Sequence, residues 1–221
     1  MSLTQAHHVF AGVGEAGINT ILRATFTARP HYLNYGSPAF VPATTVAATE
    51  MPAIPFPGVP GGIEYAVSFA VPDIDLFPPN PGTGSPIPPA PGQFGVHTRV
   101  NIRIGCFTWN APADPNGESG GTMVPLSAAL EVWAVGKPLV RFFGAPGSGD
   151  IGFEVDDVRI PEIKPAALEK VIECLIRMML RAALDNVHIP LNALSAGFFK
   201  LILQRGPEIS DDQVKVWGDI V

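Results

Sequence analysis

Charge is what this chain has least of. Only 15% of its 221 residues are Asp, Glu, Lys or Arg, against roughly 25% in ordinary soluble domains. No basic cluster exists and the net charge is −6. Both facts disfavour nucleic-acid binding and electrostatic attachment to an anionic membrane. Long apolar runs are also missing, so no transmembrane helix is expected. The start, residues 1–8, has no basic segment and no apolar core. It reads as mature sequence without a secretory signal, and the chain as cytoplasmic.

Two cysteines are too few for a disulfide scaffold. Cys106, in a strand-like run, and Cys174, in a helical one, read as buried thiols acting as small hydrophobes. One strand-to-helix disulfide is the alternative. Metal-ligand spacing is absent. His7 and His8 are adjacent and diverge on a helix, His31, His97 and His188 are scattered, and no H-x-x-x-H or C-x-x-C occurs.

Catalytic groupings are equally scarce. Ser127 and Ser195 lack the G-x-S-x-G setting of a nucleophile elbow. Asp156-Asp157 and Asp211-Asp212 flank strand-like runs and read as turn or strand-end residues. Asp73 and Asp75 share one side of a strand and could hold a cation weakly, though a solvated face accounts for them. Gly12-Val13-Gly14-Glu15-Ala16-Gly17 matches G-x-G-x-x-G. A dinucleotide site needs that turn directly after a strand. Here it sits within a helical pattern, where glycines serve close packing. No enzyme, cofactor or metal site is therefore expected.

What the chain has instead is apolar residues, 47% of the total, punctuated by 23 Gly and 24 Pro. The length suits one domain spanning 1–221. Residues 2–26 read as a helix, with Leu3, Ala6, Phe10, Val13, Gly17 and Ile21 at three- and four-residue spacing. Arg29-Pro30 stops it. Residues 30–62 are irregular. Residues 63–76 alternate as a strand with a bulge or edge at Pro72. Pro, Gly and Ser over 78–92 predict a mobile surface loop. Residues 94–109 alternate again, with Val96, Thr98, Val100, Ile102 and Ile104 inward and His97, Arg99, Asn101 and Arg103 outward. Runs 126–135 and 139–143 predict two strands around a turn at Gly136-Lys137. Residues 151–160 predict one more strand.

The strongest helix signal is 165–186. Leu168, Val171, Ile172, Leu175, Met178, Met179 and Ala182 make a wide apolar stripe, and Lys170, Glu173, Arg177 and Arg181 a polar face. Glu173 and Arg177 are spaced for an i,i+4 pair. Strand-like runs 198–203 and 213–220 follow. Hairpin-linked strands with a helix at each end predict an α+β class with an antiparallel sheet.

Residues 150 onward resemble a TULIP-type lipid-binding domain, the superfamily of bactericidal/permeability-increasing protein. The likeness rests on Phe153-Glu154-Val155-Asp156-Asp157-Val158-Arg159-Ile160, then Lys164-Pro165 and the long helix, then Val187 to Leu194, and Ile209 to Val216. With no leader and a proline-rich middle, the chain is more similar to intracellular bacterial relatives, including accessory proteins of neurotoxin gene clusters. The resemblance implies a curved antiparallel sheet wrapped around the long C-terminal helix, an N-terminal helix, and lipid held between helix and sheet.

These readings lead to one expectation, a non-catalytic protein that binds lipid or another apolar ligand. Its groove would be lined by Val171, Leu175, Met178, Met179, Phe198 and Leu201. The alternative is a structural or assembly protein with a filled core, in a phage-like particle or a secreted toxin-type complex. A protein partner or a homo-oligomer fits the second reading.

Overall fold

The computed structural model describes residues 7–40, 47–57, 59–80, 84–109, 121–142, 149–161, 163, 166–190 and 201–220. In chain order these form β1 (Val9–Gly14), α1 (Glu15–Ala28), a 3-10 turn (Pro30–Leu33), β2 (Asn34–Gly36), β3 (Thr49–Glu50), β4 (Ile54–Phe56) and β5 (Val59–Phe69). Then follow β6 (Asp73–Leu76), β7 (Phe94–Trp109), β8 (Gly121–Phe142), β9 (Gly149–Arg159), α2 (Ala166–Leu184), β10 (Ile189–Pro190), β11 (Leu201–Ser210) and β12 (Gln213–Ile220). The class is α+β and the pairing is antiparallel, save for the short parallel pair of β2 with β3.

The chain divides into two compact units. Unit 1 holds 1–25, 71–98 and 131–221, and unit 2 holds 26–70 and 99–130. In unit 1, strands run in the order β10-β9-β8-β7 with β6 on β7, and a separate sheet runs β1-β12-β11. In unit 2, β5 lies between β7 and β2, and carries β4.

Alternation explains much of this. Tyr65, Val67 and Phe69 of β5 are buried, as are Val96, Thr98, Val100 and Ile102 of β7. Inward residues of β9, among them Phe153, Val155 and Val158, join the unit 1 core, where Phe94 meets Phe153 edge-on at 5.5 Å. Pro72 falls in the break between β5 and β6.

Three expectations about strands and turns need correction. Residues 9–14 are a strand, not the first turns of a helix, because they pair with β12 from Val9↔Gly218 to Gly14↔Gln213. Phe10 then packs on Trp217, with ring centroids 5.6 Å apart. Residues 30–62 are less irregular than expected, since they contain the 3-10 turn and three short strands. Gly136-Lys137 is not a turn, because β8 runs straight through it. The register shifts there, Val135 facing Asp157 and Gly136 facing Val155. Asp156 is thus the extra residue of a β-bulge in β9.

Parts of the 78–92 loop are tied down. Asn80 donates from its backbone to Asp75 and from its side chain to Glu15, while residues 81–83 lie outside the described ones.

Helix α2 lies against β9. Its buried face is Ile172, Glu173, Ile176, Met179, Leu180, Ala183 and Leu184. Glu173 is not on a solvated polar face, and it does not pair with Arg177. Its carboxylate is 2% exposed and sits 2.7 Å from Lys170 Nζ and 3.6 Å from Arg159. The Ile160 N–H also points at it, at 3.4 Å. Such company is what a buried carboxylate requires. Arg177 reaches Asp157 at 2.7 Å, and Arg181 donates to the Val155 carbonyl at 2.7 Å. Helix and strand are therefore joined by core packing along one side and by ion pairs along the next.

Candidate functional site

Three surfaces are chemically distinctive. The first is the outward side of α2. At about 100° per residue, Leu168, Val171, Cys174, Leu175, Met178 and Ala182 fall within one arc of roughly 120°, and none is charged. Val171 is 59% exposed, Met178 51% and Leu168 44%, while Leu175 is half-buried. Cys174 is a free, exposed thiol, against its expected burial, and the side chain of Cys106 lies outside the described residues.

The helix thus separates the residues expected to line one groove. Met179 is in the seam with β9 at 1% exposure, whereas Val171 and Met178 point away from it. Leu201 begins β11 opposite Ile220, and its side chain, like all of Phe198, lies outside the described residues. The seam itself is filled by Ile172, Ile176, Met179, Leu180 and Ala183.

The second surface is a cleft of about 320 Å³ within unit 1. Alternation on β6 turns Ile74 and Leu76 into the core and leaves Asp73 and Asp75 on the other side. Register puts Asp73 opposite His97 of β7. His97 Nε2 lies 2.6 Å from Glu131 Oε2, and its ring stacks on Trp133 at 4.0 Å and 15°. Sequence reasoning missed Glu131 and Trp133. Each carboxylate lining the cleft already has a protein partner. Asp73 is 3.6 Å from Arg23, Asp75 accepts the Asn80 N–H at 3.0 Å, and Glu131 holds His97.

Burial is the main force pushing the Asp75 carboxyl above the ordinary carboxylate range, and the charges of Glu15, Asp212 and Asp73 add to it. The Asn80 N–H opposes the shift. The folded state therefore binds this proton more readily than the unfolded chain does. Stability falls as pH rises upward from the ordinary value of 3.8, and the whole penalty is present at neutral pH. Asp75→Asn keeps the acceptor for Asn80 and removes the charge. It is expected to raise the urea midpoint at pH 7, with the gain shrinking as pH falls toward 4. An equal gain at both pH values would show that charge is not the cause.

The third surface is a cleft of about 230 Å³ within unit 2. Two cross-strand rows build it. Asn34, Ser68 and Asn101 form one, and Gly36, Ala66 and Arg103 the other. Ser68 Oγ donates to Asn34 Oδ1 at 2.7 Å. The Arg103 guanidinium lies over the Phe40 ring, 5.2 Å from its centroid. Tyr35 and Val67, between these rows, border the cleft but turn their side chains into the core on the opposite face of the sheet. Burial pushes the Tyr35 phenol up to about 12, so it stays neutral, and it donates to the Tyr32 carbonyl at 2.8 Å.

The glycine motif at 12–17 has the setting it was expected to lack, since β1 leads directly into α1. Protein groups occupy that helix start. The Glu15 N–H donates to the Asp212 carbonyl, and the Glu15 carboxylate accepts from the Leu76 N–H at 2.9 Å and the Asn80 amide at 3.0 Å. Asp211 and Asp212 form the turn between β11 and β12 with left-handed φ of 53° and 55°. Asp157 pairs with Arg159 and Arg177, so both acidic pairs have structural roles. Among the described residues no group of three or more His, Cys, Asp or Glu could hold a metal ion, and no helix is long and apolar enough to cross a membrane.

No protein-family model matches this chain, and no curated protein matches it. Among solved structures, the crystal structure of lipopolysaccharide binding protein resembles it distantly in fold. Identity is 11% and the TM-score 0.32, over 72% of this chain and 32% of that one. The chain thus spans about a third of the length of that protein.

Proposed function

We propose that this chain is a non-catalytic binding protein that takes lipid or another apolar ligand on the outward side of α2. The uncharged arc of Leu168, Val171, Leu175 and Met178 carries this reading, because its two largest exposures, at Val171 and Met178, exceed half. Solvated helix faces ordinarily present charge. Contiguous exposed apolar surface marks a site of interaction.

Magnitudes narrow the ligand. Full burial of one such side chain contributes about 1.5–3 kcal/mol. Three that are about half exposed would then contribute roughly 3–4 kcal/mol together, near a millimolar dissociation constant before the cost of association. A single acyl chain lying along a convex helix would bind weakly. An extended hydrocarbon surface, covering the whole arc at once, suits it better.

The test is flotation with zwitterionic phosphatidylcholine vesicles, alongside displacement of a fluorescent fatty acid. The double variant Val171→Asp/Met178→Asp should keep its fold, since both positions are exposed, and lose at least tenfold in lipid affinity. Wild-type protein that neither floats nor displaces the probe would end this reading. Wild-type protein that self-associates in light scattering, with a monomeric double variant, would move the arc to the assembly alternative.

A further inference from the structure

We infer that the unit 2 cleft is a head-group site for a carboxylate-bearing amphiphile, with Arg103 as its anion-binding residue. The inference stands apart from the reading of α2, whose residues do not line this cleft.

The space exists because of what lies across the strands from Arg103. Its β5 partner is Ala66, and the β2 partner of Ala66 is Gly36. Two minimal side chains in that row leave room beside a long cationic one. In an ordinary sheet such an arginine would face an acid across the strands. Here, among the described residues, Arg103 forms no ion pair, and its guanidinium lies over the Phe40 ring. Glu64 lies two residues from Ala66 on the same strand, but it is buried and accepts the Ala39 N–H at 3.4 Å. A cation with no acidic partner among the described residues is unusual in a chain of net charge −6. Stacking on Phe40 holds the guanidinium in place and leaves its fork of N–H donors for a planar anion.

The rest of the lining selects what is attached to that anion. The Asn101 amide is in the neighbouring row, beside the Ser68–Asn34 pair. Phe40 and the alanines at 48 and 66 are apolar. Among the described residues that line the cleft, Arg103 is the one that carries a charge. A cation beside an apolar wall recognises a molecule with one anionic end and one hydrocarbon end. At about 230 Å³ the space is below the roughly 300–1,000 Å³ that encloses a drug-sized ligand whole. The head and the first few carbons fit, and a longer tail would extend outside.

Titration calorimetry of the full chain with four probes tests this: octanoate, octanol, acetate and octyl phosphate. Octanoate should bind, with octanol and acetate each at least tenfold weaker, because each lacks one half of the ligand. Arg103→Gln, at an exposed position, should weaken octanoate about ten- to hundredfold, as expected for loss of a charge-assisted hydrogen bond. It should leave octanol nearly unchanged. Ala66→Leu keeps the charge and fills the space, and should also abolish octanoate binding. The inference fails if wild-type protein ignores octanoate, binds octanol equally well, or is insensitive to both substitutions. It fails too if octyl phosphate binds where octanoate does not. Loss of octanoate binding in Val171→Asp/Met178→Asp alone would reassign the ligand to α2 and remove it from this cleft.

Discussion

Gly136→Ala is expected to cost about 3 kcal/mol of stability and to lower the melting temperature by roughly 6–12 °C. The cause is backbone proximity. A Cβ at this position would strike the carbonyl oxygen of Glu154 in β9 and come within 2.6 Å of the Phe94 ring. Overpacking usually costs about 1–3 kcal/mol because flexible side chains move aside. Here one obstacle is main chain, fixed by the β8–β9 ladder, and the other is a ring at 0% exposure packed on Phe153. Neither can yield cheaply, so the upper end of that range applies. Gly14→Ala is the control, since the nearest atom to an added Cβ there is 3.9 Å away. It should change stability by less than about 0.5 kcal/mol. Thermal melts of the two variants decide the matter. A Gly136→Ala protein that melts with the wild type would mean the strands do not approach as closely as the bulge requires.

That glycine also shows where sequence reasoning stops. Gly-Lys between two apolar runs has the local signature of a two-residue turn. Only the partner strand distinguishes a turn from a bulge, and β9 is set by register rather than by local residues. Residues 9–14 fail in the same way. Val9, Phe10 and Val13 suit either period over so short a run. The strand is chosen by β12, at the far end of the chain, from Val9↔Gly218 to Gly14↔Gln213. Where the alternation was long, the outcome was legible. Strand β7 begins and ends at the expected residues, with His97, Asn101 and Arg103 on the expected side.

The sites were legible only in part, for a related reason. Arg103 could be placed outward by counting, but the space beside it comes from Gly36 and Ala66 on other strands. Glu131 and Trp133 are two residues apart on β8, a spacing too common to notice. Their meeting with His97 is again a matter of register. The face of α2 was ambiguous because the helix is apolar on two sides. Leu168, Val171, Leu175 and Met178 make one acceptable stripe, and Ile172, Ile176, Met179, Leu180 and Ala183 another. Placing Glu173 on the solvated side merged residues of both stripes into one face.

Adjacent methionines separate these two stripes directly. Met179→Ala is expected to destabilise the protein by about 2–5 kcal/mol, the range for a large buried side chain cut to a methyl. Met179 is 1% exposed in the seam between α2 and β9, beside Ile176 and Leu180, both at 0%. Met178→Ala, 51% exposed, should fall within about 0.5 kcal/mol of wild type. The two substitutions have the same chemistry and the same helix propensity change, so their difference reports orientation alone. Urea unfolding at equal m-values measures it. If the larger loss belonged to Met178, the helix would have to be turned by about 100°. Val171 and Leu175 would then move toward the core, Leu180, Leu184 and Glu173 would turn toward solvent, and the arc that carries the ligand-binding proposal would no longer face outward.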